Sequence, residues 1–225
     1  MADSLNSRNL LGNSRNSGRN TSLIIGIVAV IVIIIIIVVL IASNNNNNKA
    51  MVIGNPVDMF SFPKDKVFEL QNSDDGLECT YSFWMYIHNW NYRRGEWKNV
   101  FIKGDADESQ GSNRAPGVWL YPESNDLHIR FNTYANPNEG CDLRNIPLQK
   151  WVNVVIVLNN RSVDSYVDGK LERSCVLMGV PKLNENDLHV GVNGGYMGKL
   201  SKLQYFKKAL NPDDVYGLYV KGPYL

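Results

Sequence analysis

The sequence predicts an all-β fold, a two-sheet antiparallel sandwich, preceded by one transmembrane α-helix. Three observations carry that expectation. Residues 150–175 read KWVNVVIVLNNRSVDSYVDGKLERSC, two apolar runs joined by a turn. Many further short alternating runs flank them, broken by Gly, Pro and Asn. Residues 23–42 read LIIGIVAVIVIIIIIVVLIA, without one charged or polar side chain.

In the central hairpin, Val152, Val154, Ile156 and Leu158 fall on one face. Val155 and Val157 on the opposite face are apolar too, which predicts a strand covered on both sides. Asn159-Asn160-Arg161-Ser162 is a turn of residues that tolerate left-handed backbone. The return strand is 163–167, and Asp168-Gly169 makes a tight turn into 170–172.

The chain has 225 residues, enough for one ordinary domain and a tail. Its 23 basic and 22 acidic residues nearly balance, so no basic stripe marks a nucleic-acid partner. Residues 1–22 are mostly Asn, Ser, Arg and Gly and cannot bury enough surface to offset their ordering entropy, so they read as a disordered polar tail. A helix over 23–42 is about 30 Å long, the thickness of a bilayer core. A cleaved signal peptide has a shorter apolar region and a small residue where Ile41 stands; a buried core helix has a polar face. The lipid bilayer is thus the expected partner of 23–42. Arg8, Arg15 and Arg19 precede the span and Lys49 alone follows it closely, which places the N-terminus in the cytosol and the large domain across the membrane. Residues 43–50 include a run of asparagines and serve as a tether, leaving 51–225 as the domain.

Within that domain, strands are expected over 50–62 and 67–70, broken by Asn55-Pro56 and Pro63-Lys64, then 78–88, 100–103, 118–121 and 126–133. In the last, Leu127, Ile129 and Phe131 face one way and His128, Arg130 and Asn132 the other. Residues 89–97, 104–116, 134–140 and 176–187 read as loops, and 188–192 and 199–206 as strands. Asn211-Pro212-Asp213-Asp214 is a helix start, with Asn as N-cap, Pro first and acids in the first turn. Many short strands with one terminal helical turn argue for a jelly roll.

The pattern WVNVVIV…VDSYVDGKL resembles the core hairpin of laminin-G-like and pentraxin-like domains of the concanavalin A-like jelly-roll superfamily. YSFWMYI at 81–87, GGYMGKLSKLQYF at 194–206 and ALNP at 209–212 match in order, and the resemblance covers 51–225. CDLRNIPLQKW at 141–151, the tail LYVKGP at 218–223 and the apolar span are similar to laminin-G-like virion proteins of large DNA viruses, such as those infecting algae. That resemblance implies a structural or attachment component of a virion, a minor capsid or virion membrane protein. It would bind capsid or other virion proteins, or a glycan.

Two rival functions stay open, a calcium-dependent lectin or adhesion module and a glycan-cleaving enzyme. Some relatives bind calcium through loop acids, and Asp105, Asp107 and Glu108 are the acids in such a loop here. Their spacing completes no ion loop, and a solvated acidic loop is the favoured reading. No cofactor is otherwise expected. Hydrolases on this fold place paired carboxylates on one strand. The central hairpin carries only Asp164, Asp168 and Glu172, two of them at or beside turns, so no catalytic residue is assigned.

Trp84, Trp90, Tyr92, Trp97, Trp119 and Tyr121 offer aromatic faces for a sugar. Trp90, Tyr92 and Trp97 share a loop with Arg93 and Arg94 and form the candidate partner or glycan contact. Cys141 and Cys175 flank the hairpin and pair as a disulfide if their segments run side by side; three reduced thiols are the alternative, with Cys79 buried in either case. Asn160 heads the sequon Asn160-Arg161-Ser162 and is a glycosylation candidate on a turn.

Overall fold

The computed structural model describes residues 23–40, 48–63, 66–73, 77–106 and 113–225. The chain divides into two compact units, 1–47 and 48–225. In the first, α1 (Leu23–Leu40) is one helix long and apolar enough to cross a membrane, with none of its surface buried.

The second unit is a sandwich. Its strands are β1 (Lys49–Ile53), β2 (Val57–Asp58), β3 (Val67–Phe68), β4 (Glu78–Ile87), β5 (Lys98–Gly104), β6 (Arg114–Leu120), β7 (Leu127–Phe131), β8 (Glu139–Gly140), β9 (Trp151–Asn159), β10 (Ser162–Val167), β11 (Lys170–Val176), β12 (Leu188–Val190) and β13 (Gly198–Phe206). A single helix, α2 (Pro212–Val220), follows. Among the described residues, one sheet runs β1-β13-β4-β9-β10-β11, with β2 beside β13. The other runs β3-β12-β5-β6-β7-β8. All the pairings are antiparallel.

Alternation along each strand builds the core. Tyr81, Phe83 and Met85 of β4 and Val154 and Ile156 of β9 meet Phe101, Val118, Ile129 and Phe131 of the facing sheet. The other side of β9 is buried as well, as its continuous apolar run implies. Val155 and Val157 join Tyr166, Phe206, Leu210 and Val215 in a second cluster under α2. That helix starts where its caps require, with Asn211 Oδ1 accepting from the Asp214 N–H at 2.8 Å. Asn160, Asp168 and Gly169 all take positive φ, the conformation that two-residue hairpins demand.

Several boundaries differ from the sequence expectation, among them the 50–62 strand, which splits into β1 and β2 with a turn over 59–62. β1 begins at Lys49, so the tether is shorter than 43–50 and the domain starts before 51. The loop expected over 104–116 gives way to β6 at Arg114. Pro116 disguised that strand; the β5–β6 ladder slips between Ile102 and Gly104, which accommodates a residue without an N–H. Finally, β8 lies at the end of the expected 134–140 loop, too short to carry a periodic signal.

Cys141 follows β8 at one sheet's edge and Cys175 lies in β11 at the other's. Their sulfurs are bonded at 2.00 Å, so the disulfide ties the two sheets together. Cys79 is a buried free thiol, pushed up to about 12 by burial.

Candidate functional site

The richest polar constellation lies on the outer face of the six-stranded sheet. Its floor is β6 and β7, paired with Trp119 opposite His128. Leu127, Ile129 and Phe131 point into the core, which turns His128 and Arg130 outward. Past β8, the chain continues antiparallel to β7. Cys141 N–H donates to the Ile129 carbonyl at 3.1 Å, and Leu143 exchanges two hydrogen bonds with Leu127. Cys141 and Leu143 are buried, so the residue between them, Asp142, faces outward beside His128 and Arg130.

Asp142 is the hub. Arg130 grips it with both terminal nitrogens, at 2.6 and 3.2 Å. The Tyr121 hydroxyl donates to it at 2.7 Å, and His128 Nδ1 lies 3.1 Å away. Burial works to raise the Asp142 carboxyl, but the hydrogen bonds from His128, Arg130 and Tyr121 outweigh it and hold the group well below the usual carboxylate range. Burial pushes His128 down, with its bond to Asp142 opposing and Arg130 assisting. The ring is therefore neutral near pH 7, donating from Nδ1 to the carboxylate and leaving Nε2 as an acceptor. Tyr121 is raised by burial and then by its bond to Asp142.

Aromatic rings frame this network. Trp97 lies 4.9 Å from Tyr121 and 4.7 Å from His128 by ring centroids, and remains 39% exposed. Trp119 is buried flat along its own strand, where only glycine leaves room: a Cβ at Gly117 would stand 2.0 Å from the indole. Arg114 covers that indole at 5.1 Å. An exposed indole beside a neutral imidazole and a fixed carboxylate–guanidinium pair suits a ligand with one apolar face and several hydroxyls. Because Arg130 is already neutralised by Asp142, this pair is not a bare basic patch.

The candidate loop residues separate. Trp97 alone joins the face just described. Trp90 packs against the core, with Lys98 Nζ 4.5 Å above its ring. Tyr92 donates to the Gly194 carbonyl at 3.0 Å, Arg93 bonds the Asn193 carbonyl, and Arg93 pairs with Glu96 at 2.7 Å. Those contacts fasten the 89–97 loop to the 192–194 turn. Arg94 points out, 3.5 Å from Glu123. Asp105 accepts from the Asn113 backbone N–H at 3.0 Å and from the Asn186 side chain, so both its oxygens serve the loop. Asp107 and Glu108 lie outside the described residues. Among the described residues, no three or more His, Cys, Asp or Glu side chains are grouped to hold a metal. Asn160 is exposed on its hairpin turn.

Sequence reasoning placed His128 and Arg130 on a shared face but missed Asp142. Its signal was the apolar–polar–apolar triplet Cys141-Asp142-Leu143, too short to read as a strand.

A laminin-G family model, described as the concanavalin A-like lectin/glucanases superfamily, matches residues 64–216. The chain belongs to that superfamily. Among solved structures, the sandwich is similar to the botulinum neurotoxin serotype D binding domain, with a TM-score of 0.55 and 14% identity over 77% of this chain and 42% of that one. It is also similar to the receptor binding domain of the botulinum neurotoxin C/D mosaic serotype, with a TM-score of 0.52 and 16% identity over 66% of this chain and 37% of that one. The chain spans about two fifths of the length of these structures. At such identities the likeness is one of fold. No curated protein sequence matches.

Proposed function

We propose that this chain is a membrane-anchored structural and attachment component of a large DNA virus particle, acting by binding. Residues 23–42 hold it in a bilayer with the N-terminus on the cytosolic side, and the sandwich engages a saccharide through the outer face of its six-stranded sheet. The observation that carries the reading is the Trp97–Tyr121–His128–Arg130–Asp142 constellation on a lectin-type sandwich. A stacked indole takes the apolar face of a sugar ring, and His128 Nε2 is placed to accept from a hydroxyl. Calcium is not part of this reading, and neither is hydrolysis: the one carboxylate in the constellation is ionised and occupied by three partners, which suits it to neither proton donation nor nucleophilic attack.

A protein partner is the second reading, favoured by the exposed apolar residues Tyr134, Met178 and Val180. The Tyr134 N–H donates to the Val180 carbonyl at 3.0 Å, which brings their segments together. A capsid or other virion protein would use such a patch as the centre of a broad interface.

Alkaline carbonate extraction tests the anchor. The native chain stays with membranes. Replacing Ile33 and Ile34 by Lys releases it, because each central charge costs about 2.5 to 3.5 kcal/mol on insertion. A native chain that washes off with peripheral proteins contradicts the reading.

A further inference from the structure

One surface of the sandwich combines cations with exposed apolar groups and plays no part in the binding face. Lys49 opens β1, and Met51, two residues on, is 43% exposed. The C-terminal tail crosses the same region. Lys202 Nζ donates to the Lys221 carbonyl at 3.1 Å, and Ser201 bonds the Pro223 carbonyl. Leu225 packs at Gly54, directly after β1. Val220 and Leu225 are 60% and 74% exposed, whereas Tyr224 turns to Trp151, whose Nε1 donates to its hydroxyl at 3.0 Å. Lys49 is pushed down by burial and then by the charges of Lys221 and Lys202, so three cations lie within reach of one another. The acids of α2, Asp213 and Asp214, sit in its first turn, at the opposite end of the helix from Lys221.

The length of chain before β1 decides what this surface meets. Six residues, 43–48, separate the apolar span from Lys49. Even fully extended they reach at most about 22 Å. A folded unit of this size is about 40 Å across. The ground around Lys49 therefore stays near any bilayer that the span crosses, whereas the far side of the unit cannot reach it.

We propose that the surface formed by Lys49, Met51, Lys221 and Leu225 is seated on the phospholipid headgroups of that bilayer. The proposal rests on the reading of 23–42 as a membrane anchor. Phosphate relieves the repulsion among the lysines, and the exposed Met51 and Leu225 add apolar surface beside them. Seating this surface fixes the orientation of the sandwich as well as its distance from the membrane.

The test uses the full chain in vesicles of phosphatidylcholine and phosphatidylserine, a fraction carrying a headgroup quencher. A fluorophore is attached through Met51→Cys or, as control, through Leu171→Cys. Cys79 is buried and Cys141 and Cys175 are bonded, so the new thiol reacts alone. Leu171 is 55% exposed on β11, five strand spacings or about 24 Å from β1. Quenching severalfold stronger at Met51 than at Leu171 is expected. It falls toward the Leu171 level when Lys49→Gln and Lys221→Gln are added. Equal quenching at the two positions, or quenching at Met51 indifferent to the lysines, overturns the proposal. Loss of the chain at alkaline carbonate is a separate result, which removes the anchor and the proposal with it.

Discussion

The two sheets treat their outer faces differently. On the seven-stranded sheet, Val155, Val157 and Phe206 point outward and α2 covers them, with Val215 fully buried against them and Tyr219 stacked on Trp84 at 5.8 Å. On the six-stranded sheet, the corresponding outward positions of β7 hold His128 and Arg130, and no helix among the described residues covers them. Instead Asp142 satisfies their polar groups from the neighbouring segment, and Trp97 leaves its ring partly in solvent. An apolar outer face needs a lid made of chain. A polar outer face that is already hydrogen-bonded can stay open, and such a face is free to receive a ligand.

The covered face is the easier to break. Val215→Asp puts an unpaired carboxylate beneath α2 and should cost at least about 4 kcal/mol, lowering the melting temperature of the 48–225 unit by about 10 °C or more. A shift of only a degree or two would mean that α2 is a loose cover.

The open face should respond less in stability and more in binding. Asp142→Ala leaves Arg130 and His128 without their acceptor. These groups are only partly buried, so about 2 to 3 kcal/mol is expected from denaturant titration, less than for Val215→Asp. An Asp142→Ala cost equal to or above that of Val215→Asp would reverse the comparison.

Acid sharpens it further. The folded-state pKa of His128 lies below its ordinary 6.5, so the unfolded chain takes up this proton first. Its contribution is fully present above pH 6.5 and is lost as pH falls through the folded value. Asp142 is depressed as well, and its contribution is lost only below the usual carboxylate range. Stability measured from pH 7 to 5 should thus fall slightly in the native chain and lose this component in His128→Gln. Identical slopes in the two would contradict the assignment.

The covered face was the more legible in sequence. Val155 and Val157 announced a strand buried on both sides, and Asn211-Pro212 announced the helix that buries it, because continuous apolar runs and caps are local signals. The open face was legible only in part. Alternation marked His128 and Arg130, but Asp142 follows a two-residue strand, and long-range pairing with β7 alone brings it to them. Trp90, Tyr92 and Trp97 looked alike as loop aromatics. Trp97 alone reaches His128, whereas Trp90 and Tyr92 are drawn to the core and to the 192–194 turn.

The central claim is that the open face binds. Equilibrium binding of the full chain to a panel of immobilised saccharides, compared with Trp97→Ala and Tyr219→Ala, tests it most directly. The account predicts saturable binding that Trp97→Ala weakens at least about fivefold, since stacking on an aromatic ring is worth on the order of 1 to 3 kcal/mol, while Tyr219→Ala on the covered face leaves it within about twofold. No saccharide bound, or binding indifferent to Trp97→Ala, would contradict it.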